Sequence, residues 1–280
     1  MKKFINLLNF EMNRFLNFLI PTLAIVVAMQ LFQTIQSVLS YNKEAKIIMA
    51  SGPGDVDSVL EELGTFSMQD VTAGAVFNLS IVLIILIFSF YSFFTWYREW
   101  LGKNTFIYRL LMLPISRFQI ILSKSLVFLI GGLLTFSVQF GLFFIESTLI
   151  KQLITTQELF TELNLHAVKP AYDFFLFKLF PLEGIEFISV YSFAFAALIT
   201  LFTAILLERS FGLKGLIPGV ICFIGYFIVY SILTGLSYYD FTSMILKPSQ
   251  VYIGLLLYQF LVIGLGLVIS RFLLTHKIKV

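Results

Sequence analysis

Few residues in this sequence could make or break bonds. There is one cysteine, Cys222, set in an apolar run, and there are two histidines, His166 and His276. A single thiol builds neither a disulfide framework nor a redox pair. The histidines fall in segments that the charge pattern puts on opposite sides of a membrane, so they cannot share a metal. An intramembrane protease would need a Gly-x-Ser-Gly elbow, aspartates in facing helices, or a Glu-Glu and His set inside helices. The pair Glu61-Glu62 lies in a loop. No Gly-rich loop ends in Gly-Lys-Ser/Thr, the phosphate cradle of an ATPase. The chain therefore reads as a non-enzyme with no catalytic residue, no metal and no cofactor of its own.

What remains is polarity inside apolar segments. Gln30, Gln33 and Gln36 recur every three residues, joined by Thr34 and Ser37. Asn78, Gln139 and Gln259 are further amides in apolar runs, the last beside Gly254, Gly264 and Gly266. An amide in hydrocarbon is costly, so these side chains predict either hydrogen bonds between helices or a wet translocation path, and the sequence leaves both open. The glycines predict close helix contact, within the chain or across a dimer. Glu146 lies near the outer end of its apolar run and is expected to snorkel toward water.

Composition decides what positions these residues. Apolar residues make up 59% of the chain and charged ones 12%, against about 25% charged in a soluble domain. A soluble chain of 280 residues could not hide that much apolar surface. Six segments are long enough to cross about 30 Å of hydrocarbon, at residues 18–39, 73–97, 119–149, 185–207, 215–237 and 251–273. None shows period-two alternation, so all are expected to be helices. The expected fold is one all-α polytopic transmembrane domain over residues 1–280.

Orientation follows from Lys and Arg. With the N-terminus cytoplasmic, the inside holds 13 basic and 3 acidic residues, a net of +10, and the outside 6 basic and 13 acidic, a net of −7. Both termini are thus expected in the cytoplasm, with outside loops at 40–72, 150–184 and 238–250. A helix is expected near Thr156–Leu165, and Pro218 with Gly215 and Gly219 is expected to break the start of the fifth span. The opening residues MKKFINLLNFEMNR lack the unbroken apolar core of a secretory signal. Lys2, Asn6, Asn9, Asn13 and Asn17 instead form one polar stripe at helical spacing. Residues 1–17 therefore predict an amphipathic interfacial helix, with the chain turning into the membrane at Pro21.

Between the second and third spans, Gly102 can break a helix, and Asn104 or Thr105 can cap a short new one. Pro114 stops it, and Ser116 to Gln119 has the Ser-x-x-Gln form of a capping box. A short helix at 104–114, parallel to the membrane, is either a handle for a soluble partner or an ordinary cytoplasmic loop.

Glu99, Gly102, Thr105, Leu-Pro-Ile-Ser-Arg at 113–117 and Lys124 resemble the ABC-2 class of ABC-transporter permeases. In that class Glu, a Gly-Thr pair, Leu-Pro-(Ile/Val)-(Ser/Thr)-Arg and Lys lie between the second and third spans. Here Lys103-Asn104 separates Gly102 from Thr105. The six-span layout, the amphipathic N-terminal segment and the basic tail Lys277 to Val280 resemble the class too. The resemblance implies that 104–114 is the coupling helix, docking on a separate ATP-binding-cassette subunit. Glu99 and Arg117 would make polar contacts or pair locally, Leu111 and Leu113 would fill the partner's groove, and Gly102, Asn104, Thr105, Pro114, Ile115 and Ser116 would shape the segment. It also implies two ATPase subunits carrying ATP and Mg, a second identical or related permease, and a place in the cell membrane with no nucleic-acid partner. The Phe-rich interior (33 Phe in all) favours a hydrophobic or amphipathic cargo such as a peptide, antibiotic or lipid. The rival reading is an ATP-independent channel or secondary transporter, or a membrane scaffold subunit.

Overall fold

Long apolar runs with few breakers become long helices. The computed structural model of the chain describes residues 2–51, 55–100, 110, 112, 116–161, 184–238 and 248–277. Its principal helices are α1 (Lys2–Ser51), α2 (Val56–Glu62), α3 (Met68–Thr72), α4 (Ala75–Trp100), α5 (Arg117–Leu153), α6 (Gly184–Phe211), α7 (Leu213–Tyr238) and α8 (Pro248–Phe272). A 3-10 turn spans Gln157–Leu159, and a π-helical turn, Leu273–Lys277, follows α8. Six of these helices, α1 and α4 to α8, are long and apolar enough to cross a membrane. Leu257 and Val268 keep 65% and 66% of their surface open, and many other large apolar side chains are equally bare. Such surface suits lipid rather than water. The chain is an all-α, multi-pass membrane protein.

The expected spans coincide with these helices, which mostly run further. The first difference is at the N-terminus. The interfacial helix expected at 1–17 and the first span are one continuous helix, with Pro21 inside it. Proline removes a single backbone hydrogen bond. A common inward stripe runs through both parts: Leu7, Glu11, Phe15, Leu19, Leu23 and Val26 are all buried at three- or four-residue steps. The helix also continues through 40–51, expected as the start of an outside loop, because Lys43, Glu44, Ala45 and Lys46 are good helix formers. It ends just before Gly52-Pro53-Gly54 in sequence. The helix expected at Thr156–Leu165 is replaced over 156–161 by the 3-10 turn and a bridge between Phe66 and Phe160, and 162–165 lie outside the described residues. Pro218 does not break α7.

The chain divides into two compact units: Met1–Phe15, Phe88–Ile130 and Leu179–Val280 form the first, Leu16–Ile87 and Gly131–Lys178 the second. In the first unit α6 packs against both α7 and α8. Gly212, at φ +64, turns the chain sharply between α6 and α7. Gly219 lets α7 approach so closely that an added Cβ would lie 2.9 Å from the Ala204 carbonyl oxygen of α6. Thr203 of α6 shares a hydrogen bond with Ser270 of α8 (2.9 Å), and Gly266 presses on Ile199. Small residues and hydroxyls here do what the hydrophobic effect cannot do between helices in lipid.

In the second unit, Asn42 of α1 ties off the end of α5: its amide donates to the Leu153 carbonyl (2.8 Å) and its oxygen accepts from the Thr155 amide (3.2 Å). Gly64, at φ +72, follows α2, and its carbonyl accepts from the Tyr41 hydroxyl (2.6 Å). Ser67 and Asp70 form a capping box at the start of α3.

Candidate functional site

The most concentrated chemistry lies in the first unit, where α1, α4 and α5 each bring a charge into the interior. Lys124 of α5 is fully buried, its Nζ 2.9 Å from Glu11 Oε1 and 2.7 Å from Glu99 Oε1. It also reaches the carbonyl and hydroxyl of Thr95 at 3.4 Å, and lies 5.4 Å from the Trp96 ring centroid. Arg14, one helical turn beyond Glu11, approaches Glu99 at 3.5 Å. The four charges cancel. Each buried carboxylate is met by a cation, which is the condition under which such charges are tolerated away from water. Glu99 Oε2 nonetheless has no hydrogen-bond partner.

Aromatic packing encloses the cluster. Phe15 contacts Phe88, Tyr91 and Phe128 with centroids 4.8–5.5 Å apart, and Phe202 of α6 meets Trp96 edge-on at 5.6 Å. Next to it, the Tyr97 hydroxyl donates to Glu208 (2.5 Å), and Arg209 stacks over the Tyr97 ring. These contacts fix the ends of α1, α4 and α5 to one another, with α6 alongside.

The residues singled out from sequence are placed as follows. Glu99 pairs locally, inside the chain. Arg117 donates to the Leu274 carbonyl (2.6 Å), holding the turn after α8 against the start of α5. Ser116 is exposed, and its carbonyl accepts from the Gln119 amide (2.8 Å). Gly102, Asn104, Thr105, Leu111, Leu113, Pro114 and Ile115 lie outside the described residues. Between them, Leu110 is buried and Met112 is 72% exposed.

In the second unit, Gln30 is buried and donates to the Ser80 hydroxyl (2.9 Å) and to Gln139 Oε1 (3.0 Å), linking α1, α4 and α5. Gln33 donates to Ser37 (2.9 Å) and lies over Gly74. With Gln36 it lines a cleft of about 470 Å3. Asn78 donates to the carbonyls of Thr72 and Gly74 at the α3–α4 junction. In the first unit Gln259 of α8 is buried and accepts from the Ser192 hydroxyl of α6. Gln30, Gln139 and Gln259 therefore bond between helices, whereas Gln33 and Gln36 face a cleft. Gly254 and Gly264 have open space where a side chain would stand, unlike Gly266.

Two features were missed by reading the sequence alone. Glu11, which enters the sequence reading only as one of the cytoplasmic acidic residues, is buried on the stripe Leu7–Glu11–Phe15–Leu19. Glu146 does not snorkel. It is 0% exposed, on the inward stripe of α5 that includes Thr135, Gln139, Leu142 and Ile150. Among the described residues no group of His, Cys, Asp and Glu is arranged to hold a metal ion. No protein-family model, curated protein or solved structure matches the chain.

Proposed function

We propose that the chain is the membrane-spanning subunit of an ATP-driven exporter of the ABC-2 class, with both termini in the cytoplasm. It works beside a second permease and two ATPase subunits that bind ATP and Mg. The observation that carries this reading is the neutral cluster Glu11–Arg14–Glu99–Lys124, read together with Leu-Pro-Ile-Ser-Arg at 113–117. Glu99 is one residue from the end of α4 and Lys124 is two helical turns into α5, so the charges brace the two helices that flank residues 101–116. A force applied to that segment passes into both helices, and through Glu11 into α1, without first bending one against another. The buried Leu110 and the exposed Met112 fit a short element with one face on its own chain and one offered outward. Closure of the two ATPases on ATP pushes this element, and the spans part toward the outside.

The test is purification of the tagged chain from its native membrane, followed by photolabelling with azido-ATP. The native chain is expected to bring down a labelled ATPase. A Met112→Glu, Leu113→Asp double variant is expected to lose it while remaining monodisperse in detergent, because Met112 is largely exposed. If the native chain recovers no ATP-binding protein, the exporter reading fails and an ATP-independent channel or scaffold takes its place.

A further inference from the structure

The three carboxylates of the proposed cytoplasmic face are all engaged within the chain. Glu11 and Glu99 hold Lys124, while Glu208 accepts from the Tyr97 hydroxyl and lies 3.9 Å from Arg209. None is left for Lys214, in the first turn of α7, or for Lys277, in the π-helical turn after α8. Both lysines are exposed, and among the described residues neither makes an ion pair. They belong to one corner of the first unit. Lys277 Nζ stands 5.7 Å from the ring centroid of Phe211, the last residue of α6, and the turn at Gly212 leads from there directly into Leu213 and Lys214. A basic corner without a carboxylate of its own suits an anion.

Below the corner the surface is apolar and bare. Leu213, Ile217, Val220, Ile224 and Ile228 follow one another at steps of four, three, four and four, which puts them on one face of α7. All five are exposed, Leu213 to 85%. Of the six crossing helices, α7 is the least covered by the rest of the chain. The stripe runs from the basic corner into a groove of about 440 Å3 lined by Phe223, Ile224, Phe227, Ile228, Ser231 and Ile232. That groove begins roughly 14 Å along the helix from Lys214 at 1.5 Å per residue. Half of the hydrocarbon is about 15 Å thick, so this is a depth that acyl chains reach. A free phosphate would use the corner and leave the stripe bare. A phospholipid with an anionic head uses both.

We propose that the α6–α7 corner and the bare face of α7 form a binding site for an anionic phospholipid, its phosphate on Lys214 and Lys277 and an acyl chain along the stripe into the groove. The site goes beyond the exporter reading and rests on it only for the leaflet. In the proposed orientation the corner faces the cytoplasmic leaflet, whose surface is negatively charged. The test uses the purified full chain in neutral detergent, without any ATPase, mixed with phosphatidylglycerol or phosphatidylcholine. Native mass spectrometry reads the lipid retained. Phosphatidylglycerol is expected to be held at least about tenfold more tightly than phosphatidylcholine, and that preference to fall at least about tenfold in a Lys214→Gln, Lys277→Gln variant.

A second measurement on the native chain guards against a misfolded variant: phosphatidylglycerol carrying a diazirine in its acyl chain is expected to label α7 within residues 217–232. Equal retention of the two lipids, an unchanged preference in the folded double variant, or label confined to other helices would each overturn the proposal. So would recovery of the native chain as a dimer whose α7 takes no label, which would assign this face to a second copy. None of these results bears on ATPase recovery, so failure here and failure of the exporter reading are separable.

Discussion

Lys124 sits between two carboxylates from two other helices, with Arg14 closing the set, and that balance makes a sharp stability prediction. Removing one member of a buried ionic group strands the rest, which costs about 3–5 kcal/mol, whereas replacing the whole group with neutral residues is often close to neutral. Lys124→Met is therefore expected to lower the melting temperature of the purified protein markedly. Glu11→Gln and Glu99→Gln added to Lys124→Met leave only the partly exposed Arg14 charged and are expected to restore most of the loss. A Lys124→Met protein that melts like the native one would show that the cluster holds nothing together. Glu99 and Lys124 were visible in sequence because they lie in the motif between the second and third spans. Glu11 was hidden by the assumption that residues 1–17 form a separate surface helix, which left its four-residue step from Leu7 and Phe15 unread. Glu146 was hidden by its nearness to the end of a span, where a carboxylate can reach water. Which face of α5 turns inward depends on neighbours that lie more than a hundred residues away in sequence.

At the scale of elements, hydropathy marked all six crossing helices, because a run of apolar residues is a local property. The ends were less legible. Residues 40–51 have loop-like polarity but helix-favouring composition, and Pro21 and Pro218 read as turns although helix packing on both sides carries the backbone past them. Close helix approach was legible only as a possibility, since a glycine at an interface and a glycine facing lipid look alike in sequence. The structure separates them, and the separation is testable. A side chain at Gly219 would meet the Ala204 carbonyl of α6, whereas at Gly225 nothing lies within 4 Å. Gly219→Val is expected to destabilise by about 1–3 kcal/mol through overpacking. Gly225→Val, on the same helix and with the same chemistry, is expected to leave the melting temperature nearly unchanged. Equal losses at both positions would mean that the α6–α7 contact does not set the stability of this hairpin.

For the whole molecule, the proposed orientation rests on the charge distribution. The proposed orientation puts 13 basic residues against 3 acidic ones inside, and 6 against 13 outside. The opposite orientation would place that basic excess across the membrane, against the rule that retains Lys and Arg in the cytoplasm. In a Cys222→Ser background, Asp57→Cys in α2 and Thr275→Cys after α8 replace exposed side chains, so neither change disturbs packing. A membrane-impermeant maleimide added to intact cells is expected to label the first and to spare the second until the membrane is permeabilised. The reverse pattern would invert the topology and turn residues 101–116 away from any cytoplasmic ATPase, ending the exporter reading whatever the cluster does for stability. Labelling of both sites in intact cells would mean that an even number of crossings, and not the proposed five, lies between them. One of the long helices α4 to α8 would then have to lie along the membrane.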